Sequence, residues 1–452
     1  MEIKGKIILY ICALCNLSLY SQTILSDKLY LFNKENSPLI SNNITSVLYD
    51  SFKKNYWIGC GWEFEGSDTI KGGLVRFNGA DWEIFNSSNS PIINNSVTDL
   101  TMDALGRLLI ANFGEGFLRY DGVNWEVFNS SNSPIPSDEV TCISTDLDNN
   151  IWIGIFGYGA IRFDGINWTL FDYNNSFVGI EDLNFIDVDS LGLLWFGTDY
   201  FGLYSYDGSN WDKQGEGPFE DSISITSFSI DTELNKWFTG NIHFVGSGVL
   251  GKLSEQGWFY YDSSFIGYST RFSYNSLTID SNDNKFIGSA IGLFKFDGSD
   301  WTLLSSDNSP VPYNIFTCGL VDENNNKVYG LRAAPPHPSG HAGLIFYNED
   351  SVNIVTYVED ESYYVNNYIL LQNYPNPFNP TTTISYSIPF QQHISLKVYD
   401  ILGNEIAHLV NEEQVAGFHS FNFNARQMSS GVYFYKLQLR NNILTKKMTL
   451  LK

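Results

Sequence analysis

Tryptophan returns along this chain with a nearly fixed period. Trp82, Trp125, Trp168 and Trp211 are each 43 residues apart, Trp258 follows after 47, and Trp301 after 43 more. Such regularity means one supersecondary unit copied many times, and a period of roughly 40 to 45 residues built of short strands points to the blades of a β-propeller. Around each tryptophan the unit reads as four strands. In the second full copy these are Val97 to Asp103, Arg107 to Asn112, Gly116 to Asp121 and Asn124 to Asn129. The turn between the first two is Asp-x-x-Gly or a variant of it, starting at Asp103, Asp146, Asp189 and Asp280. Between the last two lies Asn78-Gly79, Asp121-Gly122, Asp164-Gly165, Asp207-Gly208 or Asp297-Gly298. Asp, Asn and Gly suit tight hairpins because they bond their own backbone or tolerate positive φ. Counting inner strands from Ile44, Val97, Val140, Leu183, Ile225, Tyr274 and Phe316 predicts seven blades over residues 28–358. Two segments read as the outer strand that closes the ring, Leu29 to Asn33 and Val352 to Tyr357.

The 452 residues exceed what one compact core usually holds, so a second domain is expected after the repeats. Glu359 to Asn367 breaks the repeat and reads as a linker. From residue 368 the pattern changes: Ile384, Tyr386 and Ile388 alternate onto one face, as do Ile394, Leu396 and Val398, and Phe421 with Phe423. Short alternating strands between Gly, Pro and Asn turns predict a small Ig-like β-sandwich over 368–452, making the whole chain all-β. Charge divides the two parts. The net charge is −24, yet residues 368–452 carry seven Lys/Arg against four Asp/Glu, and the first 22 residues are also slightly positive, leaving the propeller and linker near −28. A polyanion is repelled by such a body, so nucleic acid is not an expected partner.

Lys4 and Lys6 before the apolar run Ile7 to Leu14 predict a secretory signal peptide over 1–21; a transmembrane anchor is the competing reading, and the run is shorter than the roughly 20 residues a span needs. No transmembrane segment is expected in the mature chain. The cysteines beyond the signal, Cys60, Cys142 and Cys318, fall inside predicted strands and are expected in the core rather than in disulfides.

The repeat resembles the two-component regulator propeller family in its Trp-Ile-Gly second strands, Trp57-Ile58-Gly59 and Trp152-Ile153-Gly154 with Trp195-Phe196-Gly197 as a variant, and in the Asp-Gly-x-x-Trp turns above. In that family the propeller often senses for a membrane histidine kinase; the present sequence shows no kinase, so that role is not carried over. The module from Leu371 is similar to the type A sorting domain of the type IX secretion system. The similar residues are the YPNPFNP opening, the VYDILGNEI hairpin, the GVYFYKL strand and the basic tail. The resemblance implies passage across the outer membrane of a Gram-negative bacterium, with the type IX machinery as partner and the cell surface or the medium as destination. An accessory sandwich kept for binding is the alternative.

Catalytic chemistry is weakly signalled. His337 and His341 sit in a Pro-rich segment that forbids the helix needed to align them. The Asp-rich turns at Asp146 and Asp280 lack a calcium loop's later acidic ligand. No phosphate loop or nucleophile elbow is present, and no cofactor or metal is expected. The loops joining second to third strands are the variable part of the repeat. They carry Trp62, Glu63, Phe64 and Glu65 in blade one, Phe113 and Glu115 in blade two, and Phe156 and Tyr158 in blade three. Blade four has Asp199, Tyr200 and Phe201, and blade five has His243 and Phe244. Large aromatics on a solvated rim predict a ligand face, for an uncharged or cationic glycan or peptide. They could instead pack on one another to close the channel mouth. A secreted binding propeller is the expected function; a glycoside hydrolase or lyase using Glu63, Glu65, Glu115 and Asp199 is the alternative, and a purely structural role is a third.

Overall fold

The computed structural model describes residues 23–26, 28–65, 68–70, 72–93, 96–172, 174–176, 182–214, 223–243, 247–262, 273–305, 309, 315–332, 342–352, 354, 368–370, 373, 376–388, 390–415, 417–439 and 442–452. The expected signal peptide, the linker, Phe244, His337, His341 and most of Val352 to Tyr357 lie outside them. The described regular structure is entirely β.

Seven antiparallel sheets make the propeller, and their inner strands are Ile44–Asp50, Ser96–Met102, Val140–Thr145, Leu183–Val188, Ile223–Ile230, Tyr274–Ile279 and Ile315–Val321. Six blades take their four strands in chain order. The seventh places Leu29–Phe32 beside Leu344–Tyr347, with Leu29 opposite Tyr347 and Phe32 opposite Leu344, and adds Thr23–Ser26 outside it. The start of the propeller thus closes its last blade, and of the two candidate closing strands it is the earlier segment that pairs. Val352 is buried against the core between blades one and seven.

Seven hydrophobic clusters lie between neighbouring blades, one at each junction around the ring. The repeated tryptophan serves two sheets. Within its own blade Trp125 stacks on Tyr120 at 4.2 Å, Trp168 on Phe163 at 4.2 Å and Trp82 on Phe77 at 4.1 Å. Its edge meets the last aromatic of the preceding blade: Trp125 on Phe85, Trp168 on Phe128, Trp211 on Phe171, and Trp82 on Phe32 of the closing strand. Such pairs contribute about 0.5–1.5 kcal/mol each beyond the area they bury.

Nearer the axis, every inner strand carries a β-bulge at its second or third residue, or its fourth in blade five. The bulged residues are Thr45, Thr98, Thr141, Asn184, Thr226, Asn275 and Thr317, all short and polar. Thr98 Oγ1 donates to Val140 O at 2.9 Å, Asn184 Nδ2 to Ile225 O at 3.0 Å, Thr226 Oγ1 to Tyr274 O at 2.8 Å and Thr317 Oγ1 to Ile44 O at 2.5 Å. Thr45 does the same to Val97. The bulge turns a side chain sideways, and the side chain ties its blade to the next. It also explains the glycine of the Trp-Ile-Gly strand: a Cβ on Gly154 would lie 2.5 Å from Cys142 Sγ, and one on Gly197 would strike the Phe185 ring.

The tail is a two-sheet sandwich. Ile369–Leu370, Thr381–Ile388 and Gly417–Asn424 form one sheet; Glu405–Gln414, Gln392–Tyr399, Gly431–Gln438 and Ile443–Leu450 form the other in that order. Ile384, Tyr386, Ile394, Leu396, Val398, Phe423, Tyr435, Leu437 and Met448 are buried in one core with Phe421 packed against it, so all three predicted alternations face inward.

Candidate binding face

The two ends of the propeller are built differently. At one end lie the turns between first and second strands, where an Asp closes each inner strand. Asp231 Oδ1 accepts Glu233 and Asn235 N–H at 3.0 and 2.9 Å, and its Oδ2 accepts the Trp237 indole at 2.7 Å. Asp146 and Asp280 bond in the same way to backbone N–H groups two and four residues on, so these carboxylates are spent on hairpins. The next blade adds a cation or a hydroxyl: Lys327 Nζ lies 3.1 Å from Asp280, Lys236 Nζ 3.6 Å from Asp189, and Tyr56 Oη donates to Asp322 at 2.5 Å.

At the other end are the loops between second and third strands. Trp62 follows the strand Asn55–Cys60 with about half its surface exposed, its carbonyl held by Asn43 Nδ2 at 2.8 Å. Glu63–Glu65 is not a loop but a short strand paired with Asp68–Ile70, an extra hairpin on blade one. Phe113 is half-buried with its ring edge-on to Phe156 at 5.9 Å. Phe156 and Tyr158 are 45% and 46% exposed, and this degree of exposure on neighbouring residues makes them the most open rings of blade three. Tyr200 and Phe201 stand together at 5.3 Å, and His243 of the next blade stacks on Tyr200 at 4.8 Å. The structure therefore joins the aromatic residues in two pairs of adjacent blades, two with three and four with five.

Two of the loop carboxylates, Glu115 and Asp199, are engaged. Glu115, between Gly114 and Gly116 that both have positive φ, accepts the Ile93 N–H at 2.7 Å, and burial raises its pKa. Asp199 Oδ1 accepts Ser224 Oγ at 3.0 Å, while its carbonyl lies 2.5 Å from His243 Nε2. Several residues that hold this face were not singled out by sequence: Asn43, Glu139, Asp182 and Ser224. Asp182 Oδ1 takes the Gly157 N–H at 2.9 Å, and the carbonyls of Asn43, Glu139 and Asp182 take Gly61, Phe156 and Asp199 N–H at 2.8, 3.0 and 2.8 Å. Their shared signal is a polar residue within a position or two of the inner strand's first paired residue, repeat after repeat.

Along the axis a cavity of about 320 Å³ is lined by all seven inner strands. Asp99 and Asp187 face it. Burial in the channel wall pushes Asp99 up to about 7 even though it accepts the Ile143 and Leu100 N–H groups, and the Asp187 charge adds to the rise. Burial likewise pushes Asp187 up to about 6. Cys318, also in this wall, has its thiol raised to about 12 by burial, and none of Cys60, Cys142 and Cys318 is in a disulfide. Among the described residues no three His, Cys, Asp or Glu side chains converge as metal ligands, and no helix is long and apolar enough to cross a membrane.

Residues 372–450 match the family model for the secretion system C-terminal sorting domain. The chain carries a type IX sorting tail. That tail makes it a secreted or cell-surface propeller protein with the type IX machinery as a partner. No curated protein sequence matches the chain. Among solved structures it is similar to PorZ, a surface component of the type IX secretion system of Porphyromonas gingivalis, at 14% identity and a TM-score of 0.52, over 92% of this chain and 60% of that one. The extracellular domain of the one component system BT4673 from B. thetaiotaomicron is similar at 14% and 0.52, over 91% of this chain and 57% of that one. The chain thus spans less than two thirds of either. Virginiamycin B lyase from Staphylococcus aureus is similar at 12% and 0.53, over 71% of this chain and 98% of that one. At these identities the likeness is one of fold, and the same fold carries an enzyme, a secretion component and an extracellular domain.

Proposed function

We propose that this is a binding protein displayed on, or released from, the outer surface of a Gram-negative bacterium, and that its ligand, a glycan or a protein segment, sits on the face formed by the second-to-third-strand loops. The observation that carries the reading is the contrast in aromatic placement. The repeated tryptophans and their partners pack between strands and blades, whereas Trp62, Phe156, Tyr158, Tyr200 and Phe201 hold 37–48% of their surface open at one end of the ring, which supports a surface role over a core role. Flat rings suit the apolar faces of sugars or the side chains of a peptide, and Glu139 and Asp182 beside them offer acceptors for hydroxyl or ammonium donors. The Phe113–Phe156 and Tyr200–His243 contacts support partial closure of the rim by its own rings, and Trp62 and Tyr158 are the most exposed of these aromatic residues.

Catalysis by the loop carboxylates is disfavoured because Glu115 and Asp199 already serve as acceptors for groups that shape the loops. A glycan and peptide array probed with the mature chain, followed by a hydrolysis and lyase screen of whatever binds, tests the reading. Binding without turnover is expected. Turnover abolished by Asp199→Asn would replace it with the enzyme reading.

A further inference from the structure

The sorting sandwich has one end that its own fold does not use. Asp400 to Asn404 forms the turn between the strands Gln392–Tyr399 and Glu405–Gln414. It is tightly fixed: Asp400 Oδ1 accepts Leu402 and Asn404 N–H at 2.9 and 2.8 Å, Oδ2 accepts Asn404 Nδ2 at 2.8 Å, and Gly403 takes the positive φ of 84°. Asp bonding its own backbone makes this a tight hairpin turn, and the turn carries Ile401 and Leu402, 69% and 82% exposed. The ladder then slips, Val398 pairing with Ala407 and Tyr399 with Glu405, so that Ile406 is left without a partner across the strand and stands 43% exposed. Tyr399 lies opposite Phe434 and Gly431 opposite Leu450, which brings the exposed Val432 and Leu451 to the same end of the sheet.

Turns of the same build recur seven times in the propeller, and each shows at most one exposed large apolar residue: Phe52, Leu147, Leu191 or Leu234. The sandwich core closes without Ile401, Leu402 and Ile406. Among the described residues at the opposite end of the sandwich, the exposed Phe390, Val415 and Ile443 come from three separate connections, with no comparable pair. Adjacent aliphatic side chains on a rigid turn lose little conformational freedom on docking and bury their full surface. Lys397 Nζ pairs with Glu405 at 2.8 Å, Lys436 Nζ lies 4.8 Å over the Tyr399 ring and Lys452 follows Leu451, so basic side chains border the apolar end.

We propose that this end of the sandwich, centred on Ile401, Leu402 and Ile406, is the part that the type IX machinery grips, by inserting it into an apolar pocket. The proposal rests on the sorting role of residues 372–450. The machinery is chosen over a ligand of the propeller because the docking end belongs to the module whose task is recognition during export.

The test uses the full chain in the producing bacterium, with the protein in periplasm, surface and medium quantified by immunoblot. Ile401→Asn together with Leu402→Asn keeps residues that such turns favour and removes the apolar surface. Delivery beyond the outer membrane should fall by about tenfold or more, with the chain held in the periplasm, since losing two buried aliphatics weakens docking by at least that factor. Ile401→Val with Leu402→Met should retain delivery. The purified double variant should melt with the parent; if it does not, Leu402→Lys alone, at the most exposed position, carries the same expectation. Normal delivery of a well-folded variant overturns the proposal. A chain ending at residue 358, run in parallel, separates the two levels: retained truncation with a delivered double variant removes only the docking end, whereas a delivered truncation removes the sorting role itself.

Discussion

The two ends of the propeller are made from the same repeat and have opposite characters. At the first-to-second-strand end all seven inner strands finish in an Asp that organises its own turn, and several of these also meet a cation or a hydroxyl from the next blade. At the second-to-third-strand end the blades differ: a paired hairpin in blade one, a two-glycine turn around Glu115 in blade two, an exposed Phe156 and Tyr158 in blade three, and a Tyr200–His243 stack between blades four and five. Uniform polar chemistry at one end is what holding seven sheets in a ring requires. Varied aromatic chemistry at the other is what remains free to recognise something. The proposed binding face therefore lies at the opposite end of the strands from the turns that brace the ring.

The largest effect should come from the uniform end. Asp231→Ala removes the acceptor of two backbone N–H groups and of the buried Trp237 indole, and should cost about 3 kcal/mol in urea unfolding of the mature chain. Tyr158→Ala should cost well under about 1 kcal/mol because its ring is open to solvent. Equal losses would break the contrast. A smaller effect is expected from the circumferential bonds: Thr226→Val keeps the shape but not the donor to Tyr274 O, and should cost about 1 kcal/mol, measurable as a lower urea midpoint.

The acids of the channel give a pH dependence of their own. Asp99 and Asp187 have folded pKa values near 7 and 6, above the ordinary value of 3.8. Folding therefore takes up protons between the two values, and stability contributed by the neutral acids is present at low pH and lost as pH rises through the folded pKa. Raising pH from about 5 to about 8 should lower the urea midpoint, and Asp99→Asn should flatten that slope. A midpoint that rises over this interval in the parent would show that the channel leaves both carboxyls at ordinary acidity.

Much of this architecture is legible in the chain. The tryptophan period, the Asp and Asp-Gly turns and the alternation of the tail lead to seven blades and a sandwich because each signal is local and repeated. Closure was less so. Leu29 to Asn33 and Val352 to Tyr357 both read as outer strands, and only the pairing of Leu29 with Tyr347, more than 300 residues away, distinguishes them. The inner-strand bulges escape alternation altogether, since an extra residue such as Thr98 resets the period-2 pattern without changing composition. For that reason Asp99 did not stand out as a channel residue. At the candidate face the exposed aromatics were readable from their loops, but the backbone staples that fix those loops were not, because Asn43, Glu139 and Asp182 look like ordinary polar linkers until the blades are assembled.

The separation of framework from recognition is tested most directly by one paired measurement on a single variant, Trp62→Ala, Tyr158→Ala and Tyr200→Ala combined. Its urea unfolding and its binding to the ligand identified on the array are read side by side with those of the parent. The account predicts an unfolding midpoint close to the parent's and affinity weakened by about a hundredfold or more, as expected when exposed aromatic anchors are removed together. Unchanged affinity for that ligand would contradict it and move the binding site away from this face.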